Sequence, residues 1–182
     1  MILPHFKPDK KGNKHPNNKL MLGFCGGLFG SHGVGKTTAC KFVSEKYGFY
    51  WCDIAGVIEE AAKKLYHWNG TKDDDGLNAL NKTCISGRKL NENYWLNIAI
   101  ASIPKESSRV VFDNVFFTNE ADFIKKHKGF IIKLNRPVYE SVSLDFDVDY
   151  TIENNGNIAE LEDNVAKLIK QMYNIERNGE NL

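Results

Sequence analysis

The chain has 182 residues, 42% apolar and 26% charged. These values suit one globular domain with a core of its own; they exclude a wholly disordered chain, a collagen and a disulfide-stapled miniprotein. The formal net charge is +1, too small for a chain built throughout to coat nucleic acid.

The basic excess is local. Residues 1–19 hold five Lys and one Asp, and Pro4, Pro8 and Pro16 break any regular element there. This stretch is expected to be a flexible basic arm, the one place where the chain offers a contact to nucleic acid. It has no apolar run of signal-peptide length. No stretch reaches the roughly 20 apolar residues of a membrane span, so no membrane partner is expected. Cys25, Cys40, Cys52 and Cys84 lack CxxC spacing, which argues against zinc. Cys25, Cys40 and Cys52 read as small core residues, and the protein as one kept in a reducing cytoplasm.

Order is predicted from Leu20. Leu20–Cys25 is apolar on both faces, as a central parallel strand should be. Glycines follow, then a helix over 35–47, with Ala39, Phe42, Val43 and Tyr47 on one face and Gly48 as its stop. Residues 49–52 form a second strand, and Asp53 caps a helix over 54–67. A loop is predicted over 68–76, with Asp73–Asp75 as a solvated turn. Helices over 77–85 and 91–103 follow, split at Ser86-Gly87. Residues 109–113 form a third strand. Thr118 caps a helix to about His127. Fourth and fifth strands lie over 129–134 and 149–152. Asn157 with Glu160 caps a last helix that buries Ile158, Leu161, Val165, Leu168, Ile169 and Met172. Residues 177–182 are expected to fray.

Strands alternating with helices predict an α/β fold: a parallel sheet covered by helices on both faces. The segment between the second and third strands is too long for a simple crossover and contains no strand. It reads as a helical insertion, residues 54–105, over the sheet edge where such folds bind ligands.

Gly30-Ser31-His32-Gly33-Val34-Gly35-Lys36-Thr37 fits GxxxxGK[ST] between a predicted strand and a predicted helix. The glycines allow close backbone approach, and successive N–H groups then form an anion cradle at a helix N-terminus. His32 is expected to contribute only its backbone. Lys36 brings a cation to the outer phosphates, Thr37 offers a hydroxyl to Mg²⁺, and Thr38 completes the nucleotide-binding run. ATP and Mg²⁺ are the expected cofactors.

Asp113 ends the third strand and is the expected second partner of Mg²⁺. Such chemistry needs positioning and charge neutralisation, so the catalytic set is Lys36, Asp113 and Arg136, the last just beyond the fourth strand. Asp53, Arg88 and Trp95 are the candidate contacts to a second, small-molecule nucleotide substrate. A guanidinium suits a phosphate, and an indole either stacks on a base or packs in the core. Arg109 lies on the opposite sheet edge and reads as structural. Asn81-Lys-Thr-Cys84 lacks the Asp of a guanine-reading NKxD, so a switch GTPase is not expected.

In order over residues 20–172, the chain resembles phage-type deoxynucleoside monophosphate kinases of the P-loop nucleoside monophosphate kinase superfamily. The resemblance rests on the phosphate loop, on Gly87-Arg88 with Tyr94-Trp95, on Val110–Asp113 through Asn119-Glu120-Ala121, and on Ser143–Phe146 through Asp149-Tyr150, Ile152, Asn154, Gly156 and Leu161. It implies a three-layer P-loop fold with five parallel strands. It also implies a kinase domain over 20–176, and γ-phosphoryl transfer from ATP to a deoxynucleoside monophosphate. Two departures stand out. Asn114 and Phe116 replace an acid and an Arg of the family stretch, and Val138–Ser141 replaces an expected His and Ser-Glu. Acceptors left open are a modified base in DNA and dephospho-coenzyme A. A binding module without catalysis is also open, as is the oligomeric state, with a homodimer one option.

Overall fold

The computed structural model describes residues 20–27, 33–137 and 143–178, with side chains up to 172. Five strands form one sheet: β1 (Leu20–Cys25), β2 (Tyr50–Cys52), β3 (Arg109–Phe112), β4 (Phe130–Asn135) and β5 (Tyr150–Glu153). Their spatial order is β2-β3-β1-β4-β5, and every neighbouring pair is parallel. The helices are α1 (Lys36–Tyr47), α2 (Ile54–Tyr66), α3 (Asp74–Leu90), α4 (Tyr94–Ala101), α5 (Thr118–Lys126) and α6 (Ile158–Asn178).

The alternation along β1 explains the layers. Leu20, Leu22 and Phe24 face one side and pack with α1 and α6 through Val43, Val165 and Ile169. Met21 and Cys25 face the other and pack with α2, α3, α4 and α5 through Ile58, Leu80, Leu96 and Ile124. A sheet buried on both faces needs continuous apolar strands, which is why β1 has no polar residue.

Three predicted details are corrected. First, α3 is continuous through Ser86-Gly87. Gly87 is buried in the last turn of α3, where a Cβ would come within 2.5 Å of the Trp95 indole; it is there for close packing rather than to break the helix. Second, Asp73–Asp75 is a helix start. The Asp73 carboxylate accepts from Gly76 N at 2.9 Å, and Asp74 and Asp75 sit in the first turn, where the helix dipole favours negative charge. Third, Ile158 is 64% exposed. It sits on the first turn of α6, while Leu161, Val165, Leu168, Ile169 and Met172 are buried.

Smaller adjustments follow the same logic. The α5 start is held by Glu120, whose Oε2 accepts from Phe116 N (2.8 Å) and Phe117 N (3.1 Å); Thr118 is already the first helical residue. Asn157 and Glu160 bond reciprocally at 3.0 and 3.1 Å, as expected of a capping pair. α6 continues through Asn178. The basic arm and residues 179–182 lie outside the described residues. No described helix is long and apolar enough to cross a membrane.

Candidate active site

Central strand β1 delivers the chain to the carboxyl edge of the sheet, and α1 carries it back. Between them, Gly26 has φ 114°, Gly33 φ 126° and Gly35 φ 101°. Gly35 is the clearest requirement. Its backbone is left-handed, and a Cβ there would lie 2.8 Å from both the Asn154 amide and Leu161. Gly30, Ser31 and His32 lie outside the described residues.

The segment is clasped from outside. Asn154 Nδ2 donates to Val34 O at 2.9 Å, in the interior, and Arg136 donates to Gly33 O at 3.0 Å. Asn154 itself is anchored by its N–H to Asn135 O, 2.7 Å. The ends of β4 and β5 therefore hold Gly33 and Val34 just ahead of α1.

Lys36 opens α1 and is 6% exposed. Its Nζ donates to Gly26 O at 2.6 Å, folding the side chain back along the loop. Burial pushes the ammonium pKa below its ordinary value, and the nearby Asp113 carboxylate pulls it back up. Thr37 is exposed beside it, and Thr38 is half-buried.

Asp113 follows β3. The register places Phe112 beside Gly23, so the carboxylate emerges next to the end of β1. It is 3% exposed. Burial, then the charge of Asp53, pushes its carboxyl up to about 8; the Trp51 indole and the Lys36 ammonium oppose this. Its Oδ1 has no hydrogen-bond partner. An orphaned oxygen in a buried carboxylate is costly and marks a place for a proton or a cation. Asp53 does two jobs: it caps α2 through Oδ1 and Gly56 N at 2.7 Å, and it adds negative charge beside Asp113.

These groups line one cleft of about 1080 Å³, which takes in Gly33–Thr38, Asp53, Asp113, Asn114 and Arg136. Sequence reasoning had missed four of its other residues: Glu59, Lys72, Asn154 and Asn157. Asn154 had two signals, its place in the family-like block and its position just past a strand end. Glu59 and Lys72 carry no motif at all.

Arg88 and Trp95 do not line this cleft, although Trp95 lines a neighbouring cavity that shares Asp53 and Glu59 with it. Leu80 lines the cleft, and Arg88 lies eight residues further along the unbroken α3, about 12 Å away along the axis. Its guanidinium covers the Phe117 ring at 3.7 Å and donates to Glu92 O (3.0 Å) and Asn119 Oδ1 (3.1 Å). It faces a separate cavity of about 460 Å³ with Asn81, Cys84, Phe116 and Phe117. Trp95 is 7% exposed in the core, and its Nε1 donates to Cys84 O at 3.0 Å. Arg109 donates to Tyr47 O at 2.8 Å, at the far edge of the sheet.

The residues fit a divalent cation. Thr37 and Asp113 offer hard oxygen donors, one of them orphaned and buried, with Asp53 adjacent. No group of three or more His, Cys, Asp or Glu ligands exists among the described residues. That suits Mg²⁺, which keeps several waters and takes its other ligands from phosphates.

Comparison with solved structures decides the fold. Shikimate kinase from Acinetobacter baumannii, solved in complex with shikimate, matches with TM-score 0.51 and 18% identity over 85% of this chain and 95% of that one. The chain has a P-loop kinase fold. A "putative kinase" of Chloroflexus aurantiacus matches equally well, with TM-score 0.51 and 8% identity over 85% and 98% of the two chains. At such identities these P-loop kinases speak for the fold alone. In sequence, a protein of Acanthamoeba polyphaga mimivirus named "putative deoxynucleotide monophosphate kinase" is 28% identical over 141 residues, 61% of this chain and 73% of that protein. That relative bears out the resemblance read from the sequence. No family model matches the chain.

Proposed function

We propose that the protein transfers the γ-phosphoryl group of ATP to a deoxynucleoside monophosphate, yielding the diphosphate. The observation that carries this reading is the single cleft that joins the phosphate-loop backbone, Lys36, Thr37 and the buried Asp113. The named kinase relative supports a deoxynucleotide acceptor.

The residues divide the work. Backbone N–H groups at the start of α1 receive the phosphates. Lys36, already desolvated, exchanges its bond with Gly26 O for phosphate oxygens, where a charge-assisted bond is stronger. Arg136, beside Gly33, adds positive charge as negative charge shifts towards the bridging oxygen. Thr37 and Asp113 would hold Mg²⁺, which when bound neutralises phosphate charge. The acceptor phosphate is already ionised, so no general base is required of the protein. Asn114, which follows Asp113 with φ 51°, lines the cleft as a neutral amide.

The test is transfer of label from [γ-³²P]ATP with Mg²⁺. The acceptors are dAMP, dCMP, dGMP, dTMP, duplex DNA with modified pyrimidines, and dephospho-coenzyme A. Labelled deoxynucleoside diphosphate is the expected product. Transfer to DNA or dephospho-coenzyme A alone overturns the reading, as does ATP binding without transfer to any acceptor.

A further inference from the structure

The cleft has two walls, set by the strand order. On one side of the phosphate loop are the segments after β4 and β5, with Arg136, Asn154 and Asn157. On the other are Asp113 after β3, Asp53 after β2, and the helical insertion with Ile58, Glu59, Lys72 and Leu80. Lys72 is the only cation that the insertion brings to the cleft among the described residues.

Lys72 is delivered by a built loop. The Trp68 indole donates to Thr71 O at 2.6 Å, and Thr71 N donates to Asn69 Oδ1 at 2.8 Å. Asp73, the next residue, caps α3. A Cβ at Gly76 would come within 2.0 Å of Thr71 O, so the loop is packed directly on the first turn of α3. The Lys72 ammonium lies 2.8 Å from the Glu59 carboxylate on α2, with side chains 22% and 29% exposed. Lys36 and Lys72 both line the cleft, one on the phosphate-loop side and one on the insertion wall.

An anion lying between two ammonium groups on one cleft draws on both of them. Glu59 is the anion paired with Lys72. A phosphomonoester dianion is a better partner than one carboxylate, and a long flexible side chain can turn from one to the other. We propose that Lys72 is the acceptor-side phosphate ligand of this cleft, and that Glu59 is its resting partner, displaced when a monophosphate binds. The proposal rests on the kinase reading above. It makes an anionic group on the acceptor a binding requirement, and it places the acceptor against the insertion wall, opposite Arg136.

The test separates phosphate recognition from base recognition. The full chain is titrated calorimetrically with dAMP, dCMP, dGMP and dTMP and with the matching deoxynucleosides, with and without AMP-PNP and Mg²⁺. For the best-bound base, the ratio of monophosphate to nucleoside affinity reports the phosphate contacts. Lys72→Met is expected to lower that ratio about tenfold or more, the size of a charged hydrogen bond. Nucleoside and AMP-PNP affinities are expected to stay within about twofold. Lys72→Arg is expected to keep most of the ratio. Glu59→Gln is expected to raise monophosphate affinity roughly threefold, because the competing partially exposed ion pair is weak. Circular dichroism checks that each variant is folded.

An unchanged ratio in folded Lys72→Met overturns the proposal. An equal loss for nucleoside and monophosphate also overturns it, since Lys72 would then only shape the loop. If the wild-type protein phosphorylates a monophosphate but Lys72→Met keeps its acceptor KM, this inference fails and the kinase reading stands. If the wild-type protein neither binds nor phosphorylates any monophosphate, both fail.

Discussion

Replacing Gly87 by Ala pits two opposite effects against each other inside α3. On helix propensity alone, Ala is the better residue by about 1 kcal/mol. The structure predicts the reverse outcome. A Cβ at 87 would lie 2.5 Å from Trp95 Cε2 and Nε1 and 2.7 Å from Cζ2, well inside van der Waals contact. Trp95 is buried and held by its bond to Cys84 O, so the ring cannot simply swing outward. Overpacking of this kind costs about 1–3 kcal/mol, and losing the indole bond costs about 1 kcal/mol more. With the propensity gain subtracted, the net loss is about 2 kcal/mol, or about 4–8 °C in Tm for a domain of this size. Thermal and urea unfolding of Gly87→Ala, Trp95→Phe and the double variant measure it. The smaller Phe ring should relieve the clash, so the double variant should be more stable than the sum of the singles predicts, by about 1 kcal/mol. A Gly87→Ala protein as stable as wild type, or effects additive within about 0.5 kcal/mol, would refute the packing argument.

The remaining predictions concern the cleft. Lys36→Ala should abolish phosphoryl transfer, by about 10³-fold or more if it supplies transition-state charge stabilisation of the usual size, while the far-UV spectrum stays unchanged; retained turnover refutes the phosphate-loop mechanism. Asp113→Asn should flatten the pH dependence of stability in metal-free protein. The folded-state carboxyl is pushed up to about 8 against an ordinary value of 3.8, so its contribution to stability is fully present below about pH 4 and is lost as pH rises towards 8. Urea unfolding at pH 5 and pH 8 should therefore show a larger drop for wild type than for Asp113→Asn, and parallel behaviour would show that the carboxylate is already ionised in the fold. Arg136→Ala removes the clasp on Gly33 O and should raise the ATP KM several-fold more than the acceptor KM; the opposite split would move Arg136 to the acceptor side.

What could be read from the chain was whatever depends on local pattern. The parallel strands announced themselves as two-sided apolar runs such as Leu20–Cys25, and Gly35-Lys36-Thr37 named the anion cradle without help from the rest of the fold. Asp113 was legible because it ends an apolar strand. The errors came from reading residues one at a time. Gly87 was taken as a breaker because a Trp eight residues away cannot be seen as the reason for a missing side chain. Asp73–Asp75 was taken as a turn because an acidic cluster looks solvated until a helix follows it. Residue type alone does not place Arg88: its position depends on the unbroken α3 and on the Phe117 ring beneath it. Lys72 and Glu59 were invisible for the same reason: each is an ordinary charged residue until the fold brings them to one wall.

The charges of the cleft follow from this arrangement. Lys36, Lys72 and Arg136 face Asp53, Glu59 and Asp113 around one space. The balance is held locally. Glu59 carries Lys72, Asp53 also serves as a helix cap, and Asp113 carries a buried oxygen that nothing in the protein satisfies. Above the raised pKa of Asp113, a nucleotide phosphate brought in alone would meet its carboxylate as a repulsive neighbour in a desolvated site, where charge interactions are strong. Brought in with a divalent cation, the same carboxylate becomes attractive, because the cation reverses the local sign. On the proposed reading, the cleft would discriminate against metal-free nucleotide. In the Asp113→Asn variant that discrimination should weaken: the ratio of Mg²⁺-dependent to Mg²⁺-free ATP affinity should fall by about tenfold. An undiminished ratio would show that Mg²⁺ is held without Asp113.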